Sequence, residues 1–170
     1  MSTTESTKEK IIREAKRIEE DCIYSAKGHY YSGQFWSSLH LWIGVPTAVL
    51  AAIAGASALS QFDNHNILAG ILAIIVSALT AVTTFLNPNE KANIHRNAGN
   101  AYNSLKNRTR ILREINVDFA DEKELWLELN KLSSERDELN GKSPLVLRRA
   151  FKKARKGIEE GEATYLVDRR

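Results

Sequence analysis

The 170-residue chain carries 24 Lys and Arg against 21 Asp and Glu, a formal net charge of +3, and 26% of its residues are charged. Averages of this kind describe a soluble protein, and the single cysteine, Cys22, excludes an intrachain disulfide and a multi-thiolate metal site. The local order contradicts the average, because between Lys27 and Glu90 the only formally charged residue is Asp63.

In chain order, Ile11, Ala15, Ile18, Cys22 and Ala26 recur at helical spacing with Lys16, Arg17, Glu19 and Glu20 between them, which predicts an amphipathic helix within residues 1–38. Acidic residues are mixed with the basic ones there, so the segment reads as neither a cleavable signal nor a transit peptide. Gly28 and Gly33 weaken the helix and suggest a bend. Leu39 to Leu59 and Ile67 to Leu86 then contain no Asp, Glu, Lys or Arg. A helix of about 20 residues at about 1.5 Å rise matches a hydrocarbon core of about 30 Å. Transmembrane helices are therefore expected at 39–59 and 67–86, with Pro46 tolerated inside the first. Residues 60–66, with Asp63, read as an external loop. A soluble helical hairpin buried in a bundle is the competing reading.

All Lys and Arg lie at or before Lys27 or at or after Lys91, so the positive-inside rule places both termini in the cytoplasm of a multi-pass inner-membrane protein. Tyr30, Tyr31, Phe35, Trp36 and Trp42, with Phe85 on the second span, suit the cytoplasmic interface.

Asn87-Pro88 marks a restart, because the ring of Pro88 disfavours helical dihedrals at Asn87. Residues 87–142 follow as cytoplasmic helices. His95, Ala98, Tyr102, Leu105, Thr109 and Leu112 form one helical seam, and Asn116 to Asp121 breaks it. Asp121 and Glu124 are spaced as a capping pair before a helix with Leu125, Leu129, Leu132 and Leu139 on one face, ended by Asn140-Gly141. Residues 143–170 are expected to form a basic helix and tail, capped at Ser143-Pro144, with Leu147, Phe151, Ala154 and Ile158 as its apolar stripe. No alternating β pattern and no repeat of solenoid length is present. The fold class predicted is all-α: an integral membrane protein with a two-helix transmembrane hairpin, cytoplasmic amphipathic helices and assembly as a homo-oligomer.

Several stretches together resemble the SLATT family of two-span effectors associated with bacterial nucleotide-second-messenger antiphage systems. They are Tyr24 to His29, Leu39 to Pro46, Val49 to Gly55, Ala78 to Pro88 and His95 to Gly99, within a resemblance covering Ile12 to Leu112. The resemblance implies an effector that permeabilises the host membrane when an infection-sensing partner is triggered. It further implies as partners a nucleotide second-messenger synthase, its cyclic oligonucleotide product or another defence-system sensor. The 170 residues carry no such sensing module.

Gly70, Ala73, Ser77, Thr80 and Thr84 share one face of the second span, and Gly44, Ala48, Ala51, Gly55 and Ala58 one face of the first. Small residues let membrane helices approach closely, so these are candidates either for pore lining or for packing of the two spans on each other. Two spans cannot enclose a conduit alone, so conduction requires several copies. The cations Arg148, Arg149, Lys152, Lys153 and Lys156 have three readings: contact with the anionic inner leaflet, contact with acidic faces of neighbouring subunits, or capture of a phosphate-rich nucleotide. The lipid bilayer and further copies of the chain are the expected partners, with no nucleic acid and no cofactor. No phosphate loop, nucleophile elbow, paired Cys motif or His pair at i, i+4 is present, so no enzyme is expected. A pore-forming effector and a passive membrane anchor or adaptor are the two functions left.

Overall fold

The computed structural model describes residues 6–59 and 65–168 and is predominantly helical. Its elements are α1 (Thr7–Ala58), α2 (His65–Leu86), α3 (Pro88–Ile111) continuing through a π turn (Leu112–Asn116), a short α4 (Val117–Phe119), α5 (Glu122–Lys142) and α6 (Arg148–Glu159). No strand occurs among the described residues. Asp63 and most of the expected 60–66 loop lie outside them. The chain divides into two compact units, one formed by residues 1–32 and 94–170, the other by residues 33–93.

The first unit is a bundle of α1, α3 and α5 with α6 against it. Ile11, Ala15, Ile18, Cys22 and Ala26 are all buried, as their spacing predicts, and they meet Tyr102, Leu105 and Leu112 of α3 and Leu125 and Leu132 of α5. Leu129 and Leu139 pack against this core from its edge. Polar contacts fix the register: Tyr102 Oη donates to Asn140 Oδ1 at 2.9 Å, Arg108 pairs with Glu135, and Asn116 Nδ2 donates to Glu128 Oε2 at 3.1 Å. The partner number rises as the α3 number falls, so α3 and α5 are antiparallel. Burial of the Cys22 thiol pushes its pKa up to about 12, so the group stays a protonated, inert space-filler. Asp121 caps α5, its side chain accepting from the Glu124 N–H at 2.8 Å.

α1 runs unbroken through Gly28 and Gly33, since a glycine alone does not force a break; a Cβ at Gly28 would lie 2.9 Å from Val146 Cγ1, so that glycine serves close approach. Three sequence expectations are corrected. The last helix does not start at Ser143-Pro144: residues 144–147 are non-helical, Leu147 is extended, and α6 begins at Arg148, capped by Leu147 without a side-chain bond. The strap is held against α1, with Val146 beside Gly28 and the Leu147 N–H donating to Ser32 Oγ at 3.2 Å. The buried face of α6 is Ala150, Ala154 and Gly157, leaving Phe151 exposed. On α3, Gly99 is buried where Ala98 was expected: a Cβ at Gly99 would meet two Tyr30 ring carbons at 2.9 Å.

The second unit is a hairpin of the α1 segment from Gly33 with α2 and the start of α3. Both helices are long and apolar enough to cross a membrane. α2 has 22 residues, about 33 Å at 1.5 Å rise. Asn87 joins it to α3 with φ of 43°, a left-handed geometry that Asn tolerates, and Pro88 opens α3, where its missing N–H costs nothing.

Replacing Leu105 by Ala should cost about 2 to 5 kcal/mol, while Ile111→Ala on the exposed side of the same helix should cost about 0.5 kcal/mol or less. Thermal unfolding of the two detergent-purified variants followed by circular dichroism checks this order.

Candidate functional site

Within the hairpin unit, shielding follows a repeat of three and four. On α1 the shielded positions are Ile43, Thr47, Leu50, Ala54 and Ser57, and on α2 they are Ala69, Leu72, Val76, Leu79, Thr83 and Leu86. These stripes form the seam between two antiparallel helices. Hydroxyls on the seam are satisfied within their own helix: Thr47 Oγ1 donates to the Ile43 carbonyl at 2.7 Å and Thr83 Oγ1 to the Leu79 carbonyl at 3.0 Å.

The small-residue stripes are each one residue further along. Gly70, Ala73, Ser77, Thr80 and Thr84 are exposed, as are Ala48, Ala51, Gly55 and Ala58, with Gly44 half-buried. A Cβ added at Gly44, Gly55 or Gly70 would meet nothing within 4 Å. Packing of the two spans on each other, one of the two roles expected for these residues, therefore falls to the neighbouring stripes.

A step of one residue turns a helix by about 100°. Viewed along one axis, the ascending helix turns counter-clockwise and the descending one clockwise. A +1 offset from facing seams thus brings both small stripes to the same broad side of the hairpin. The −1 positions occupy the other side, and most are large: Trp42, Val49 and Ile53 on α1, with Leu68, Ile71, Ile75, Val82 and Phe85 on α2, all exposed, and with Pro46, Ala56 and Ala78 between them. The hairpin has one small face and one bulky face. On α2, Ser77, Thr80 and Thr84 of the small stripe, with Val76 of the seam and Ala81 and Phe85 beyond it, line an open groove of about 660 Å³. Ser77 Oγ is already bonded to the Ala73 carbonyl at 2.8 Å, so that hydroxyl needs no outside partner.

Aromatic residues flank one end of the hairpin. Trp42 is 80% and Phe85 90% exposed, and Lys91 Nζ lies 4.5 Å from the centre of the Trp36 ring, which itself meets Phe35 edge-on. Apolar rings beside a lysine ammonium match the chemistry of a membrane–water interface.

In the bundle unit, the predicted basic cluster lies on the outer side of α6. Arg148, Arg149, Lys152, Lys153 and Lys156 are exposed, with Lys153 Nζ 4.5 Å from the Tyr31 ring centre and Lys156 3.7 Å from Glu160.

One buried polar pair was not foreseen in the sequence. His29 and His95, 2% and 5% exposed, place their Nδ1 atoms 3.0 Å apart, and His29 stacks on Tyr102. One Nδ1 carries the hydrogen and the other accepts it, so the pair fits two neutral rings. Burial first, then the charge of His95, lowers the His29 pKa from 6.5 to about 4, and burial also lowers that of His95. Among the described residues, no group of three or more His, Cys, Asp or Glu is arranged to hold a metal ion.

Compared with known protein families, residues 9–169 match the SMODS and SLOG-associating 2TM effector domain family 4. The chain belongs to that family. The match runs beyond the Ile12 to Leu112 stretch of the sequence resemblance and takes in α5 and α6. It makes the chain a two-span membrane effector domain, in keeping with the two helices above. No curated protein and no solved structure matches it.

A depressed folded-state pKa means that neutral His29 and His95 contribute stability above the unfolded pKa of 6.5, which is lost as pH falls below it toward the lowered folded-state values, about 4 for His29. The thermal midpoint should therefore fall between pH 6.5 and 4. A His29→Asn, His95→Asn double variant should lose less over that interval, which differential scanning of both proteins measures.

Proposed function

We propose that this chain is a membrane effector of a bacterial antiphage system, and that several copies assemble through the small face of the hairpin to permeabilise the inner membrane. The observation that carries this reading is the two-faced hairpin: one broad side built only from Gly, Ala, Ser and Thr, the other mostly from Trp, Ile, Leu, Val and Phe with Pro46, Ala56 and Ala78 among them. In lipid, bulky apolar side chains meet acyl chains at no loss, whereas small residues gain from the close approach of another helix. The proposed spans are 39–59 and 67–86, flanked by cytoplasmic segments 1–38, 87–142 and 143–170 and joined by an external loop at 60–66.

A ring of such hairpins would turn Ser77, Thr80 and Thr84 toward its axis or into the joints between copies. Neither span carries a charge to discriminate between ions, so conduction would be weakly selective and governed by hydroxyls, width and dewetting. The basic face of α6 suits the anionic inner leaflet, where each Lys or Arg near the surface contributes about 1 kcal/mol. The family's association with SMODS and SLOG components supports a nucleotide-signalling synthase or sensor as the upstream partner.

Expression with a membrane-potential dye, and liposome leakage with purified oligomer, test the function. Depolarisation and leakage are expected; their absence from a correctly inserted, abundant protein would instead support a passive anchor or adaptor. Ala51→Leu and Thr80→Leu on the small face should cut leakage about tenfold or more, as loss of about 1.4 kcal/mol of association would. Ile53→Leu and Ile75→Leu on the bulky face should leave it near wild type. Equal effects from both faces would rule out this assembly surface.

A further inference from the structure

Lys106 and Arg110 stand one helical turn apart on α3, and both are engaged by a single aromatic ring, Tyr165, from the segment after α6. Lys106 Nζ donates to Tyr165 Oη at 3.0 Å and lies 5.2 Å from the ring centre, while the Arg110 guanidinium carbon lies 4.8 Å from that centre. Among the described residues neither cation has a carboxylate within ion-pair range, and Arg110 Nε is buried without a hydrogen-bond partner. Arg113, the next turn on, is in a different condition. Its Nε and Nη2 donate to Glu19 Oε2 at 3.1 and 3.0 Å, and its Nη1 pairs with Glu114. The acids near this spot are therefore committed to Arg113. A cavity of about 400 Å³ opens among these groups, closed on one side by Thr164 and Tyr165, and it adjoins the π turn that starts at Leu112. Such turns widen a helix locally and are frequent at functional sites.

The ring and phenol oxygen are a weak substitute for an anion. A cation–π contact contributes about 0.5 to 2 kcal/mol, whereas a phosphate oxygen makes short charge-assisted bonds to ammonium and guanidinium alike and offers the acceptor that Arg110 Nε lacks. We propose that this pocket binds the phosphate group of a small molecule, with Lys106 and Arg110 as donors and Tyr165 as a cover that the phosphate displaces. The phenol hydroxyl occupies the Lys106 donor position that the ligand takes. This site is separate from the basic face of α6 and does not depend on pore formation.

The test is calorimetric titration of sodium pyrophosphate, and in parallel ADP, into the full chain held in phosphatidylcholine nanodiscs at pH 7. Saturable binding is expected, weakened about tenfold or more by Lys106→Gln and by Arg110→Gln and tightened several-fold by Tyr165→Phe, which keeps the ring and frees the ammonium. Unchanged thermal midpoints in the variants separate lost binding from lost folding. A second arm adds phosphatidic acid to the nanodiscs: competition with pyrophosphate would identify a lipid headgroup as the phosphate source, and no competition a soluble one. Absence of saturable binding to the folded wild type would overturn the proposal. So would binding that survives both α3 substitutions, or that is lost instead on Lys152→Gln.

Discussion

A hydrocarbon core offers no partner to a backbone N–H or carbonyl and no solvation to a charge, and this constraint organises the rest of the molecule. It requires the segments that cross to be helices, because only a helix satisfies its backbone internally. It also clears Asp, Glu, Lys and Arg from Leu39 to Leu59 and from Ile67 to Leu86, and it leaves Ser77, Thr47 and Thr83 to bond carbonyls of their own helix. Outside those segments water supplies the solvation, and the bundle reverts to ordinary rules: an apolar seam, ion pairs on its flanks, and a capped helix.

Inside lipid the hydrophobic effect no longer separates inward from outward positions, since every face is apolar. Side-chain volume takes over that role. The seam mixes small and medium-sized residues, with Ala54 and Ala69 buried in it, while one outer side holds most of the bulky residues and the other only small ones. Because the two helices are antiparallel, a one-residue offset from the seam on each brings the small stripes together on one side. A single helix with a small stripe could pair with many surfaces, whereas two stripes side by side make a broad face suited to another copy of the same hairpin.

Where water sets the rules, the sequence was nearly transparent. The buried series from Ile11 to Ala26 and the α3 seam could be read from their spacing, with one slip at Ala98, because polar and charged residues fill most of the positions between them. The spans could be read as elements for the opposite reason, the absence of charge over two helix lengths. Their phase could not: Gly44, Ala48, Ala51, Gly55 and Ala58 run beside an equally regular stripe, Ile43, Thr47, Leu50, Ala54 and Ser57, and nothing polar marks which one turns inward. The strap at 144–147 was missed because its non-helical form comes from packing on Gly28 and Ser32, more than 100 residues away in the chain. The His29–His95 pair carried a faint signal, since His29 continues the Ile11 to Ala26 spacing and His95 opens the α3 seam. A separation of 66 residues hid the contact itself.

The central claim is that the small side of the hairpin, and not the bulky side, faces other copies of the chain. Disulfide cross-linking in native membranes tests it most directly, and the buried, protonated Cys22 makes a quiet background. Single cysteines at Ser77 and Ala51 should give dimers under mild oxidation, and single cysteines at Ile75 and Ile53 should not. Cross-linking from the bulky side alone, or from neither side in a protein that permeabilises membranes, would contradict the account.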